Sequence, residues 1–165
     1  MIKKIFITIL LSITLISNSY SAGSSSSGGE GDGPKTKTNY EKAVKLIKSA
    51  KKYEKKGKKD KAQSSYEKAL KLLLKSNNKK PNKPDTLNYL GFTSRKLGDF
   101  ENGEKYYLQG LAINPYHIGI NEYLGELYVA TNRHNLAVER LEVLKGCDCK
   151  EYDLSLIHIS EPTRL

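Results

Sequence analysis

The sequence has no tryptophan, one methionine, two cysteines and three phenylalanines, and four arginines stand against twenty-four lysines. With 38% of the residues hydrophobic and 8% aromatic, mostly tyrosine, there is enough for a modest core. There is no zinc-ligand pattern, no glycine-rich loop opening a helix to cradle phosphate and no nucleophile motif. Of the three histidines, neither His117 nor His134 is predicted from the sequence to have a nucleophile or carboxylate partner at a converging spacing. His117 and His134 fall at helix boundaries, so a capping or surface role is expected and catalysis is not. No cofactor is implied. Nor is there an apolar run of the ~20 residues that spanning a bilayer takes.

What is present begins with an export signal. Lys3 and Lys4 precede a short apolar core from Ile5 to Ile16, and Ser19-Tyr20-Ser21 places small side chains where a signal peptidase inspects them. Cleavage is expected after Ser21 or Ala22, which makes residues 1–22 a signal peptide and the protein periplasmic or secreted. An uncleaved anchor helix is the alternative. Residues 23–38, rich in Gly and Ser, follow as a flexible linker.

Charge is unevenly placed. Between Lys35 and Lys83 eighteen lysines face four acidic residues, whereas residues 84–153 carry a net −4, within an overall +10. Such polarity fits an acidic partner, a weak contact with an anionic membrane surface through this block, or end-to-end self-association. Nucleic acid is not expected for an exported chain. The compositional alternative is an AT-rich genome, which favours Lys, Asn and Ile alike.

From Tyr40 the apolar residues recur at helical spacing. Tyr40, Ala43, Ile47, Ala50 and Tyr53 form one stripe, closed by Gly57, and Ala62, Tyr66, Ala69, Leu70 and Leu73 form a second. Two such helices joined by a short turn cannot cover their own stripes, so a stack of repeats is expected. Gly91 in "YLGFTS" returns 34 residues later as Gly125 in "YLGELY"; Gly103 maps onto Ala137 and Tyr107 onto Leu141. Ala50, Tyr53, Gly57, Ala62 and Tyr66 fit the same template, and "KSNNKKPNKPD" interrupts the period after it.

These residues resemble the tetratricopeptide repeat family, over about Tyr40 to Lys145. Ser94 departs from the pattern where the family has Tyr, and Asn121 where it has a bulky residue. The resemblance implies an all-α fold of about three helical hairpins in a right-handed superhelix, the domain spanning residues 39–149. Small residues at Ala50, Ala62, Gly91, Gly103, Gly125 and Ala137, with Gly110, would mark close helix crossings. First helices would line a concave groove, with Ile47, Lys51 and Glu54 from the first repeat, Asn88, Phe92 and Arg95 from the second, and Glu122, Glu126 and Val129 from the third. A peptide or protein segment is the partner such a groove implies. Some members grip a terminal carboxylate with Lys, Arg and Asn, but Phe92 and Glu126 do not suit that clamp.

Cys147 and Cys149 in "KGCDCKEYD" admit four readings. They are a strained, easily reduced local disulfide with redox character, a soft-metal pair, partners of cysteines elsewhere, or a structural cap. A redox or metal-handling envelope protein is therefore the alternative function. "CxCKEYD" is also similar to a Cys-Glu-Tyr element that closes some exported proteobacterial tetratricopeptide proteins, and residues 150–153 look like the start of a truncated capping helix. The final twelve residues, "LSLIHISEPTRL", differ in composition and contain no Lys. They back-translate codon by codon into a transposase-type sequencing adapter. We therefore expect residues 154–165 to be non-native and poorly ordered, with the strand-like "LSLIHI" and His158 carrying no functional weight.

Overall fold

The computed structural model describes residues 37–160. The expected signal peptide and nearly all of the expected linker lie outside the described residues. Among the described residues there are seven helices and no strand: α1 (Asn39–Lys55), α2 (Lys59–Lys79), α3 (Pro84–Lys96), α4 (Phe100–Ile113), α5 (Ile118–Ala130), α6 (His134–Leu144) and α7 (Lys150–Ser160). None of them is long and apolar enough to cross a membrane. Helices α1 to α6 pair into three hairpins, and α7 packs against α5 and α6.

Local chemistry explains the boundaries. Thr38 caps α1 in a capping box: its hydroxyl accepts from the Glu41 amide and the Glu41 carboxylate accepts from the Thr38 amide. Pro84 opens α3, where its missing N–H costs nothing. Each hairpin turns through one left-handed residue at the same place in the repeat, Gly57 (φ 67°), Gly98 (φ 85°) and Asn132 (φ 59°). Glycine takes that conformation freely, and Asn is among the few side chains that tolerate it. The expected interruption after the first hairpin is absorbed largely as helix, because α2 runs on to Lys79 before a short link to Pro84.

The core forms in two adjoining clusters. Ala43, Ile47, Ala50, Tyr66, Ala69, Leu73, Leu87, Leu90 and Phe92 fill the first. Tyr107, Ile120, Leu124, Leu127, Val129 and Ala137 fill the second, with Tyr123 packed against both. Burying each of these Leu side chains is worth ~1.5–3 kcal/mol, which outweighs the ~1 kcal/mol that a helical glycine costs.

The glycines differ in what they do. A Cβ on Gly91 would stand 2.5 Å from the Tyr107 ring, and one on Gly103 would stand 3.3 Å from the Gly91 carbonyl oxygen, so α3 and α4 approach backbone to side chain and backbone to backbone. Gly125 has no such constraint, contrary to the sequence expectation. Its Cβ would sit 3.6 Å from Arg140 Cβ, an ordinary contact, because α6 crosses α5 less closely there.

Of the two departures from the repeat pattern, Asn121 has a local explanation. Asn121 is fully buried; its amide donates to the Pro115 and His117 carbonyls at 3.0 and 3.1 Å and its oxygen accepts from Arg140 at 3.4 Å. It thus pins the α4–α5 turn with hydrogen bonds where a bulky side chain would pin it by packing. Ser94 is buried, and its carbonyl accepts from the Leu97 and Asp99 amides at the next turn.

The stretch at 154–157 is helical in α7, not strand-like. Its pattern is inverted for a helix covering a core: Leu154, Leu156 and Ile157 are 46%, 42% and 54% exposed, while Ser155 is buried with its hydroxyl unpartnered.

Candidate functional site

One-sided packing places residues from the first helix of every hairpin on a common face. At its centre the Phe92 ring of α3 lies 4.9 Å from Tyr123 of α5 and 6.0 Å, edge-on, from Tyr66 of α2. Cations cover this aromatic floor. Lys51 reaches from α1 to put its ammonium 4.4 Å from the Phe92 centroid and 5.3 Å from that of Tyr123, and it donates to Tyr123 Oη at 3.3 Å. Arg95 lies 5.7 and 5.9 Å from the same two rings. Contacts of this kind are worth ~0.5–2 kcal/mol, more as water is excluded.

Carboxylates complete the cluster. Arg95 donates to Glu126 Oε2 at 2.5 Å, tying α3 to α5. Lys96 pairs with Glu54 at 2.7 Å, and Glu54 also accepts from the Tyr66 hydroxyl at 2.9 Å, tying the first hairpin to α3. Glu122 is buried, yet among the described residues it makes neither a hydrogen bond nor an ion pair. Burial, together with the like charges of Glu126 and Glu151, pushes its carboxyl up to about 7 against the pull of Lys51 and Arg95. Burial also lowers the Lys51 ammonium, partly offset by Glu122 and Glu126.

Of the groove residues expected from sequence, the structure brings together Lys51, Phe92, Arg95, Glu122 and Glu126. Glu54 stands at the flank. Ile47 and Val129 are core residues instead, because neighbouring helices close over them. Asn88 packs at the start of α5, where a Cβ on Gly119 would stand 2.8 Å from its amide nitrogen; its buried oxygen has no hydrogen-bond partner. Sequence reasoning missed Tyr123, Tyr66, Lys96 and Glu151. The signal for Tyr123 was the repeated Tyr-Leu-Gly that places it in register with Tyr89. No sequence pattern marks the other three: Tyr66 comes from a second helix, Lys96 reaches back to Glu54 of the first hairpin, and Glu151 comes from α7.

Elsewhere, Lys37, Lys79, Lys80 and Lys83 line an open cleft with Thr38, Tyr40, Ser76 and Thr86 at one end of the first hairpin. His117 caps α5 by accepting from the Ile120 amide, and its other nitrogen lies 3.1 Å from Asp85. Cys147 and Cys149 are joined as a disulfide in the link between α6 and α7. Among the described residues no group of three or more His, Cys, Asp or Glu is placed to hold a metal.

The model of the tetratricopeptide repeat family matches residues 49–72 and 85–117. No curated protein matches the chain. Among solved structures, the first TPR domain of Spaghetti (RPAP3), bound to the HSP90 peptide SRMEEVD, is 22% identical with a TM-score of 0.53, over 76% of this chain and 95% of that one. The first TPR domain of human RPAP3 is 22% identical with a TM-score of 0.54, over 73% and 91%. The second, in complex with the HSP70 peptide SGPTIEEVD, is 17% identical with a TM-score of 0.51, over 74% and 98%. This chain accordingly has the fold of tetratricopeptide-repeat domains, an all-α solenoid of helical hairpins.

Proposed function

We propose that this is an exported, non-catalytic interaction module that holds a peptide or protein segment against the face formed by Lys51, Phe92, Arg95, Tyr123, Glu122 and Glu126. The observation that carries it is convergence: α1, α3 and α5, from three separate hairpins, each contribute to one aromatic floor edged by both signs of charge. Domains of the same fold, the two RPAP3 ones, bind peptides. Export rests on the expected signal in residues 1–22.

A display of random peptides, panned against the protein, should yield a binding consensus that Arg95→Ala loses and that Cys147→Ser/Cys149→Ser keeps. Equal capture by wild type and Arg95→Ala would sink the groove assignment. Loss of binding in the double Ser variant would favour the redox or metal-handling alternative.

The block between Lys35 and Lys83 supports a second contact, with an anionic membrane surface. The cleft bearing Lys37, Lys79, Lys80 and Lys83, with Asp85 also in its lining, is one part of this block. Binding to phosphatidylglycerol-containing vesicles should fall steeply as salt rises from low to physiological strength. Salt-insensitive binding would refute this electrostatic contact.

We also read residues 154–165 as foreign to the fold. The inverted pattern of α7, with apolar Leu154, Leu156 and Ile157 outward and Ser155 inward, supports that.

A further inference from the structure

We propose that the groove accepts a basic side chain, a Lys or Arg of the bound segment, in the place that Lys51 occupies between Phe92, Tyr123 and Glu122. This rests on the groove reading above and specifies the chemistry of its ligand.

Three observations converge on it. Glu122 is 7% exposed and has no hydrogen bond or ion pair among the described residues. Its oxygens are not sealed from water, so its charge is partly desolvated, and that cost is relieved by taking a proton or by meeting a cation. The aromatic faces beside it form a surface that attracts cations, and one is already there: the Lys51 ammonium, over both rings. Lys51 is held there loosely. It makes a single 3.3 Å hydrogen bond to Tyr123 and no ion pair among the described residues, and its long stem can swing to water.

Charge points the same way. Arg95 is committed to Glu126 by their ion pair and is immobilised by burial. Facing Glu122 from the surrounding helices are Lys51 (α1), Arg95 (α3), Glu126 (α5) and Glu151 (α7). With Lys51 swung out, Glu122 loses one of the two cations, Lys51 and Arg95, that favour its charged form. An incoming lysine or arginine restores that pull, whereas an acidic side chain would add to the repulsion from Glu126 and Glu151. In this arrangement Lys51 is a stand-in that competes with the ligand.

The test uses the 165-residue chain and three fluorescent Gly/Ser-based peptides differing only in a central pair, Lys-Arg, Glu-Glu or Gln-Gln. The Lys-Arg peptide should bind tightest. Lys51→Ala should strengthen its binding about three- to tenfold, the equivalent of the displaced cation–aromatic contact. Glu122→Gln should weaken it by a similar factor. Wild-type affinity should rise as pH goes from 6 to 8, because ionised Glu122 is the form that meets the cation and its carboxyl titrates near 7. Glu122→Gln should flatten that rise, and unchanged melting curves would show that both variants fold.

Tighter binding by Lys51→Ala supports the stand-in role. Weaker binding by Lys51→Ala, or a preference for the Glu-Glu peptide, overturns it while leaving the groove as a peptide site. Failure of all three peptides, together with failure of the random-peptide panning, overturns both.

Discussion

Gly91→Ala should lower the stability of the domain by about 1–3 kcal/mol, and Gly91→Leu should prevent native packing of the second hairpin altogether. An added methyl at Gly91 would sit 2.5 Å from two ring carbons of Tyr107, which is completely buried. The ring has no room to retreat, since it is the body of an aromatic side chain fixed within the second core cluster and not the free end of a flexible one. Against this, Ala gains at most ~1 kcal/mol of helix propensity over Gly. Overpacking therefore wins. Gly125 occupies the equivalent position in the next repeat, but there an added methyl would make only ordinary contacts, so Gly125→Ala should be neutral or stabilising by up to ~1 kcal/mol. Thermal or urea unfolding of the two variants side by side checks the pair of signs. Equal shifts in the same direction would show that propensity, not the α3–α4 crossing, controls these sites.

Phe92→Ala should cost about 3–5 kcal/mol, the range for truncating a buried aromatic side chain. Phe92 is 3% exposed and touches both halves of the site: its ring contacts Tyr66 and Tyr123, and both Lys51 and Arg95 lie over it. Truncation thus leaves a cavity in the first core cluster and removes the floor under two cations. Because lost stability and lost binding would be confounded in that variant, Phe92→Leu separates them. It preserves most of the volume and should cost less than about 1.5 kcal/mol, yet it lacks the π face. Peptide affinity in Phe92→Leu should drop several-fold while the melting curve moves little. Unchanged affinity would show that Phe92 serves the core alone.

The sequence by itself determined the helices and their stacking. Apolar stripes at a 3.6-residue period and the helix-ending Gly57 are local signals. Each is decided by the backbone and side chains within a turn or two, so each was legible without coordinates. The 34-residue recurrence then implied that hairpins stack, because neither amphipathic face can be covered within its own hairpin. The family resemblance added the expectation that Lys51, Phe92, Arg95, Glu122 and Glu126, along with Ile47, Glu54, Asn88 and Val129, line one face of the first helices.

Only the tertiary structure decided what those positions do. Gly91 and Gly125 are equivalent in the repeat, yet one is jammed against Tyr107 and the other is not, because the crossing distance depends on the side chains of the partner helix. Ile47 and Val129 were expected to line the groove and instead lie in the core, since adjacent helices close over those ends of the face. Tyr123 joined the site through a contact with Lys51, 72 residues away in sequence. Glu122 was expected in the groove, but its burial and the raised carboxyl that follows from it were not. Burial, crossing distance and charge balance are sums over residues far apart in the chain, and no local pattern carries them.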